Sequence, residues 1–289
     1  MADTLRSPTV WRRWLAFELS RLRREAGLEQ KDVARALRCT VTKVSYIENA
    51  ERPAVLRDLD EVLLPLYNVP KDRWSTYLQA ARDSRRKGWW ESFRTDAVPP
   101  WLSLYIGLEQ GAEQLRIYDA QLITGVLQTE EYTNAIVRRG TAELTEDQIA
   151  QRVEFRSSRR AVLDRGADPL RLWVVLDEAA LRRVVGNRTI MREQLNHLVD
   201  AAEQAKVTLQ VLPFDHGAHP GMQGPFTILD FPWSTDPGVV YIEHRSGAFY
   251  LEETAEIKAH TVAFEHLCAL ALSPDESVTI IQNIAKEYQ

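Results

Sequence analysis

The chain has 289 residues, 45% hydrophobic and 27% charged, the balance of an ordinary globular protein with room for two domains. No apolar run approaches the roughly 20 residues that span a bilayer, and the front segment MADTLRSPTVWRRW has no apolar signal core, so a cytoplasmic protein with no membrane partner is expected. The formal net charge of −5 conceals a split: residues 1–95 hold 19 Lys and Arg against 13 Asp and Glu, the remainder 17 against 28, so a basic front suited to a polyanion precedes an acidic body.

Ser7-Pro8 can open the first helix, with Ser7 as N-cap and Pro8 in its first turn. Trp11, Trp14, Leu15, Leu19 and Leu22 follow at helical spacing, and Gly27 closes it. Two short helices fit 30–37 and 41–49, and 56–66 supplies another before the break at Asn68-Val69-Pro70. Residues 71–87 read as a charged helix ending in RDSRRKG, and Pro99-Pro100 should stop any helix that continues. These stretches divide the chain into 7–70, a helical connector over 71–100, and 101–289.

Beyond residue 100 the texture becomes mixed α/β. RLWVVLDE (171–178), VTLQVLPF (207–214), FTILDF (226–231), VVYIEH (239–244) and AFYLEE (248–253) are β-rich runs. The last two are joined by a tight hairpin at Arg245-Ser246-Gly247. Helices are expected at 129–139, 146–164, 189–205, 253–271 and 274–287, the first capped by Thr129. Cys39 and Cys268 stand alone, as reduced intracellular thiols that pack as small hydrophobes.

The stretch QKDVARALRCTVTKVSYIEN, residues 30–49, carries the most specific signal. Val33, Ala34 and Leu37 mark one inner face, and Val44 and Ile47 the other. Ala34 allows the close approach of two helices crossing steeply. Thr40 can cap the second helix. With Val44 and Ile47 inward, Val41, Thr42, Lys43, Ser45 and Tyr46 face out, as on a helix whose N-terminal half enters a major groove. Thr42 would meet a base edge or phosphate, Val41 a thymine methyl, Lys43 guanine or phosphate. Gln30 and Arg52 are phosphate candidates.

At Gln30, Val33-Ala34, Leu37, Val44-Ser45 and Ile47-Glu48-Asn49 the chain resembles the helix-turn-helix of Xre/lambda-repressor-like regulators, over roughly 12–66. The resemblance implies an all-α N-terminal domain that binds double-stranded operator DNA as a homodimer. Arg38 and Ala50 stand where that family usually has Gly, at a cost on the order of 1 kcal/mol each for positive φ. YDAQLITGVLQTEEYTNAI (118–136), LRLWVVLDEAALRRVVG (170–186), VTLQVLPFDHGAHPGMQGPFTILDFP (207–232) and VVYIEHRSGAFYLEE (239–253) are similar to a domain of unknown function in actinobacterial WhiJ-like, antitoxin-like regulators. That resemblance implies a DNA-binding regulator, often encoded beside a small partner protein that binds it; the regulator is read here as a repressor. The alternative it leaves open is an antitoxin-like protein that chiefly neutralises that partner, with DNA binding as autoregulation.

Enzyme signatures are missing: no Gly-x-Ser-x-Gly, no phosphate loop and no His-Glu-x-x-His, so no catalytic residue, cofactor or metal is assigned. His216 and His219, with Asp215 and Glu243-His244, form too scattered a set for zinc; their glycine-rich loop suits closure over a ligand or partner. Asp177-Glu178 reads as a solvated strand end. Arg152, Arg156, Arg159 and Arg160 lie along one side of a helix, a solvated face on which Arg156 and Arg160 are candidates for an anionic ligand or acidic partner.

Overall fold

The computed structural model describes residues 7–93, 97–140, 144–166, 169–233 and 236–288. The described residues fold as two compact units, one over residues 7–91 and one from Ser92 to Tyr288.

The first unit is helical. Ser7 caps α1 (Pro8–Glu25), its hydroxyl accepting from the Thr9 amide. One face of α1 buries Val10, Trp14, Leu15, Leu19 and Leu22. Helices α2 (Gln30–Ala36) and α3 (Val41–Glu48) pack on each other and contribute Val33, Ala34, Val44 and Ile47 to the same core. The next helix, α4, runs as Leu56–Asp58 and Leu64–Leu66 on either side of a π turn at Leu59–Leu63. Pro65 has no N–H to give the preceding turn, and the widened turn accommodates the lost bond.

Residues 71–91, expected as part of a connector, pack within this unit. The reason is α5 (Trp74–Asp83), which lies on α1. Its Tyr77 is 1% exposed, stacks on Trp14 at 5.4 Å and donates to Glu18 Oε2 at 3.0 Å. The apolar spacing of residues 74–83 serves a helix core rather than a solvated rod.

The second unit is built on a six-stranded sheet of order β3-β2-β1-β4-β5-β6, with β1 (Gln114–Asp119), β2 (Arg171–Asp177), β3 (Val207–Leu212), β4 (Phe226–Asp230), β5 (Val239–His244) and β6 (Gly247–Leu251). β1, β2 and β3 are parallel; β4, β5 and β6 continue antiparallel, the last pair closing through Arg245-Ser246 as the hairpin expected. Two elements depart from expectation. Pro100 opens α6 (Pro100–Glu109) rather than ending a helix, because a proline at the first helical position leaves no bond unmade. The strand β1, absent from the expected set, lies between β2 and β4.

Helices α7 (Glu130–Gly140), α8 (Glu146–Ser158), α9 (Glu178–Arg182) and α10 (Arg188–Ala202) fill the crossovers between the parallel strands. Helix α11 (Thr254–Leu270) packs Ile257, Phe264 and Leu267 against Tyr118, Val175, Leu212, Phe226, Ile228 and Val240. The start of α12 (Pro274–Glu287) satisfies the outer edge of β3: the Val211 amide donates to Ser277 Oγ, and the Leu272 amide to the Val211 carbonyl. None of the described helices is long and apolar enough to cross a membrane.

Candidate nucleic-acid interface

The turn between α2 and α3 explains how the chain presents α3. After the last turn of α2, Arg38 takes φ 51°, and the Cys39 amide returns to the Ala34 carbonyl at 2.9 Å while the Arg38 amide returns to Arg35. This is the left-handed helix stop that glycine usually supplies. Thr40 then caps α3, accepting from the Lys43 amide at 3.2 Å. Beyond α3, Ala50 takes φ 59°. Both positions read as missing glycines are therefore left-handed, and the helix-turn-helix geometry is kept at the cost of strain.

Val44 and Ile47 are buried, while Thr40, Val41, Thr42 and Arg52 are exposed, Val41 by 46%. Lys43 and Tyr46 are half-buried. The Arg52 guanidinium sits 5.2 Å from the centre of the Tyr46 ring, a cation–π contact that holds both at the end of α3. Lys43 does not stand free: its Nζ donates to Asp58 Oδ2 at 2.8 Å. Gln30, expected to reach a phosphate, instead donates from Nε2 to Glu48 Oε2 at 2.9 Å.

Glu48 and Asp58 are the residues that sequence reasoning missed. The Glu48 side chain is 4% exposed and takes a two-pronged bond from Arg23, Nε to Oε1 at 2.7 Å and Nη2 to Oε2 at 2.9 Å. Arg23 also donates to the Leu28 carbonyl at 2.9 Å. One carboxylate thus joins the end of α1, the start of α2 and the end of α3. A charged residue in a polar-looking segment gives little hint of this; the signals were its place next to the buried Ile47 and in the Ile47-Glu48-Asn49 stretch that carries the resemblance.

The second unit holds the other candidates, and the structure does not bring them together. His216 is exposed, whereas His219 places Nε2 3.6 Å from Asp177 Oδ2 and leaves Nδ1 buried without a hydrogen-bond partner. Among the described residues no three His, Cys, Asp or Glu side chains cluster as metal ligands. The loop carrying His219 packs so closely that a Cβ at Gly221 would stand 2.4 Å from the Tyr118 ring. Cys39 and Cys268 are half-buried free thiols, and burial pushes Cys268 up to about 11.

Asp177 and Glu178 are not a solvated strand end. Asp177 caps α9 by accepting from the Ala179 amide at 2.8 Å. Glu178 is buried and accepts from Arg182 Nε at 2.6 Å and from the Phe214 amide at 3.0 Å. The arginine series is not a solvated face either. Arg159 is buried and grips the fully buried Glu109 through bonds of 3.1 and 2.7 Å, with its guanidinium 5.3 Å from the Tyr105 ring. Gly125 makes room for it, since a Cβ there would lie 2.7 Å from Arg159 Nη1. Arg156 and Arg160 are half-buried; burial, then the neighbouring Arg159 charge, pushes the Arg156 guanidinium below its usual range. At the end of β1, burial and then the Glu243 charge push Asp119 up to about 7.

Comparison with known families yields two matches. A helix-turn-helix domain matches residues 14–73. A domain of unknown function (DUF5753) matches residues 102–283, more than half of the chain. No curated protein and no solved structure matches.

Proposed function

On the premise that the chain belongs to the DUF5753 family and carries a helix-turn-helix domain ahead of that region, we propose that it is a sequence-specific transcription regulator, a repressor, acting in the cytoplasm without catalysis. The observation that carries this reading is the exposed N-terminal half of α3, with Val41 and Thr42 outward and Val44 and Ile47 inward. A homodimer would set two copies of α3 in successive major grooves, one turn apart. Lys43 would leave Asp58 for a phosphate or guanine, and Arg52 would add a phosphate contact. Gln30, held by Glu48, would serve as part of the frame that orients α3, and would reach a phosphate only by leaving that bond.

The second unit would act as the sensor. A small partner protein or ligand bound there shifts DNA affinity only if it binds the free and DNA-bound states unequally. The antitoxin-like reading gains support from a groove between α7 and α8, about 540 Å³, lined by Ile149, Ala150 and Val153 together with Glu130, Arg138, Glu146 and Glu154. Recovery of a small protein bound to the chain, released by changes in that groove, would favour that reading.

The test of the regulator reading is DNA binding by Thr42→Ala with Lys43→Ala. Affinity for the DNA upstream of its own gene should fall at least tenfold, with thermal stability of the first unit retained. Unchanged affinity would remove α3 from the interface.

A further inference from the structure

We propose that the second unit binds a small zwitterion, an α- or ω-amino acid, in a recess at the carboxyl ends of β1 and β5, with its carboxylate on Arg156 and its ammonium between Asp119 and Glu243. The proposal rests on the sensor reading above and names its site and ligand class.

The topology prepares such a site. The chain runs outward from β1 through β2 to β3, then returns as β4 on the other side of β1. Open α/β sheets bind ligands where the strand order reverses in this way, outside the carboxyl ends of the strands. Because β4 is antiparallel to both β1 and β5, those two strands end at the same edge. Ile117, Thr227 and Tyr241 form one cross-strand row. Asp119 and Glu243, two residues further along β1 and β5, therefore stand on the same face of the sheet.

The arginines of α8 and of the turn after it lie over that face. Tyr241 meets Tyr105 at 4.3 Å between ring centres, and Tyr105 lies against the Arg159 guanidinium. Arg159 is spent on Glu109. Arg156 makes no hydrogen bond or ion pair with a described residue; Glu243 is near enough to act on its charge but beyond ion-pair distance. Glu243 accepts from the Tyr241 hydroxyl at 3.1 Å. Burial is the main influence on Asp119 and Arg156, yet both keep part of their surface in solvent, and Glu243 is exposed. Charged groups so placed line a recess rather than a sealed core.

The charges choose the ligand. A lone cation would be repelled by Arg156, and a lone anion by Glu243. A molecule with both charges satisfies both groups: a carboxylate matches the two-donor fork of a guanidinium, and an ammonium brings three donors to carboxylate oxygens. The groups facing Asp119 are Glu243 from β5, Arg159 beyond α8, Thr124 after β1, and the Tyr118 and Tyr132 hydroxyls. Burial, and then the Glu243 charge, hold the Asp119 proton up to about 7. An ammonium seated between the two carboxylates cancels that repulsion, so binding expels the proton to the solvent.

The full-length chain is tested by calorimetry with glycine, β-alanine and γ-aminobutyrate, whose charges stand at three spacings, against propionate, propylamine and inorganic phosphate. At least one zwitterion should bind with a dissociation constant below about 1 mM, and the other three probes at least tenfold more weakly. Its affinity should rise about tenfold from pH 6 to pH 8, with about one proton released at pH 6, seen as a heat that follows the buffer's ionisation enthalpy. Asp119→Asn should abolish both effects. Arg156→Gln should weaken binding at least tenfold without lowering the melting temperature, since it removes an unpaired charge. Glu243→Gln should weaken the zwitterion and strengthen propionate, an exchange that damage to the fold cannot produce. No binding by any of the three zwitterions, or equal binding of propionate, propylamine or phosphate, overturns the site. Binding with these dependences that leaves affinity for the DNA upstream of its own gene unchanged upholds the site and overturns the sensor reading.

Discussion

Each unit contains an arginine that grips a buried carboxylate, and the two pairs sit in different surroundings. Arg23 and Glu48 in the first unit tie three helices whose sequence pattern already announces them, and the same carboxylate takes Gln30 beside α3. Arg159 and Glu109 in the second unit lie deeper, their side chains 11% and 0% exposed, with Tyr105 against the guanidinium. The first pair lies beside α3, the helix with the exposed N-terminal half; the second lies in the interior against Tyr105. A motif therefore reports the apolar frame of a site, while the polar groups that aim its side chains are set by partners distant in sequence.

Removing one partner of the deeper pair should have the largest effect. Arg159→Ala should destabilise the second unit by about 3–5 kcal/mol, because Glu109 would be left charged and buried. Replacing both, Arg159→Met with Glu109→Leu, should recover most of that loss, as denaturant unfolding would reveal. Glu48→Ala should cost less, about 2–3 kcal/mol in the first unit, because Arg23 keeps the Leu28 carbonyl and some solvent. It should also weaken DNA binding, which Arg159→Ala should leave alone; equal effects of both on DNA would erase the distinction between the pairs.

A pH series separates the two units further. Asp119 keeps its proton up to about 7 in the folded chain, whereas an unfolded aspartate releases it near 4. The folded state therefore binds more protons across that interval, so this contribution to stability is full below about pH 4 and is lost as pH rises to 7. Asp119→Asn should make the second unit more stable than the wild type at pH 7 by about 1–3 kcal/mol, the gap closing toward pH 4. Melting temperatures across pH 4–8 would test it; a gap that widens on acidification would contradict the sign. The least change belongs to the strained turn. Ala50→Gly relieves a left-handed alanine but adds freedom to the unfolded chain, so a gain of at most about 1 kcal/mol in the first unit is expected from thermal unfolding.

Much of the fold is legible because its signals are local. Thr40, Val44 and Ile47 announce α3, and Val239–His244 with Gly247–Leu251 announce the hairpin. The strand β1 escapes for the opposite reason. Its QLRIYD places a charge at position 116, and a strand flanked by strands on both sides is not expected to carry one. That charge is tolerable only because Arg116 meets Asp230 through two bonds of 2.8 Å, 114 residues away. Arg159 is misread in the same way. Helical spacing puts it in line with Arg152, Arg156 and Arg160, and nothing near it in sequence points to Glu109 as its partner.

The residues alone mark the faces of the helix-turn-helix, and its resemblance to the Xre/lambda-repressor-like pattern marks Arg38 and Ala50, the two places where glycine is replaced and the backbone is left-handed. They also specify the charge split, which is composition alone. Which polar side chains of that frame are free is settled only in the folded chain. Gln30 turns to Glu48 and Lys43 to Asp58, while Thr42 stays open to solvent. Periodicity says which face of a helix is dry, but a hydrogen bond between two wet-looking residues depends on where separate helices come to rest.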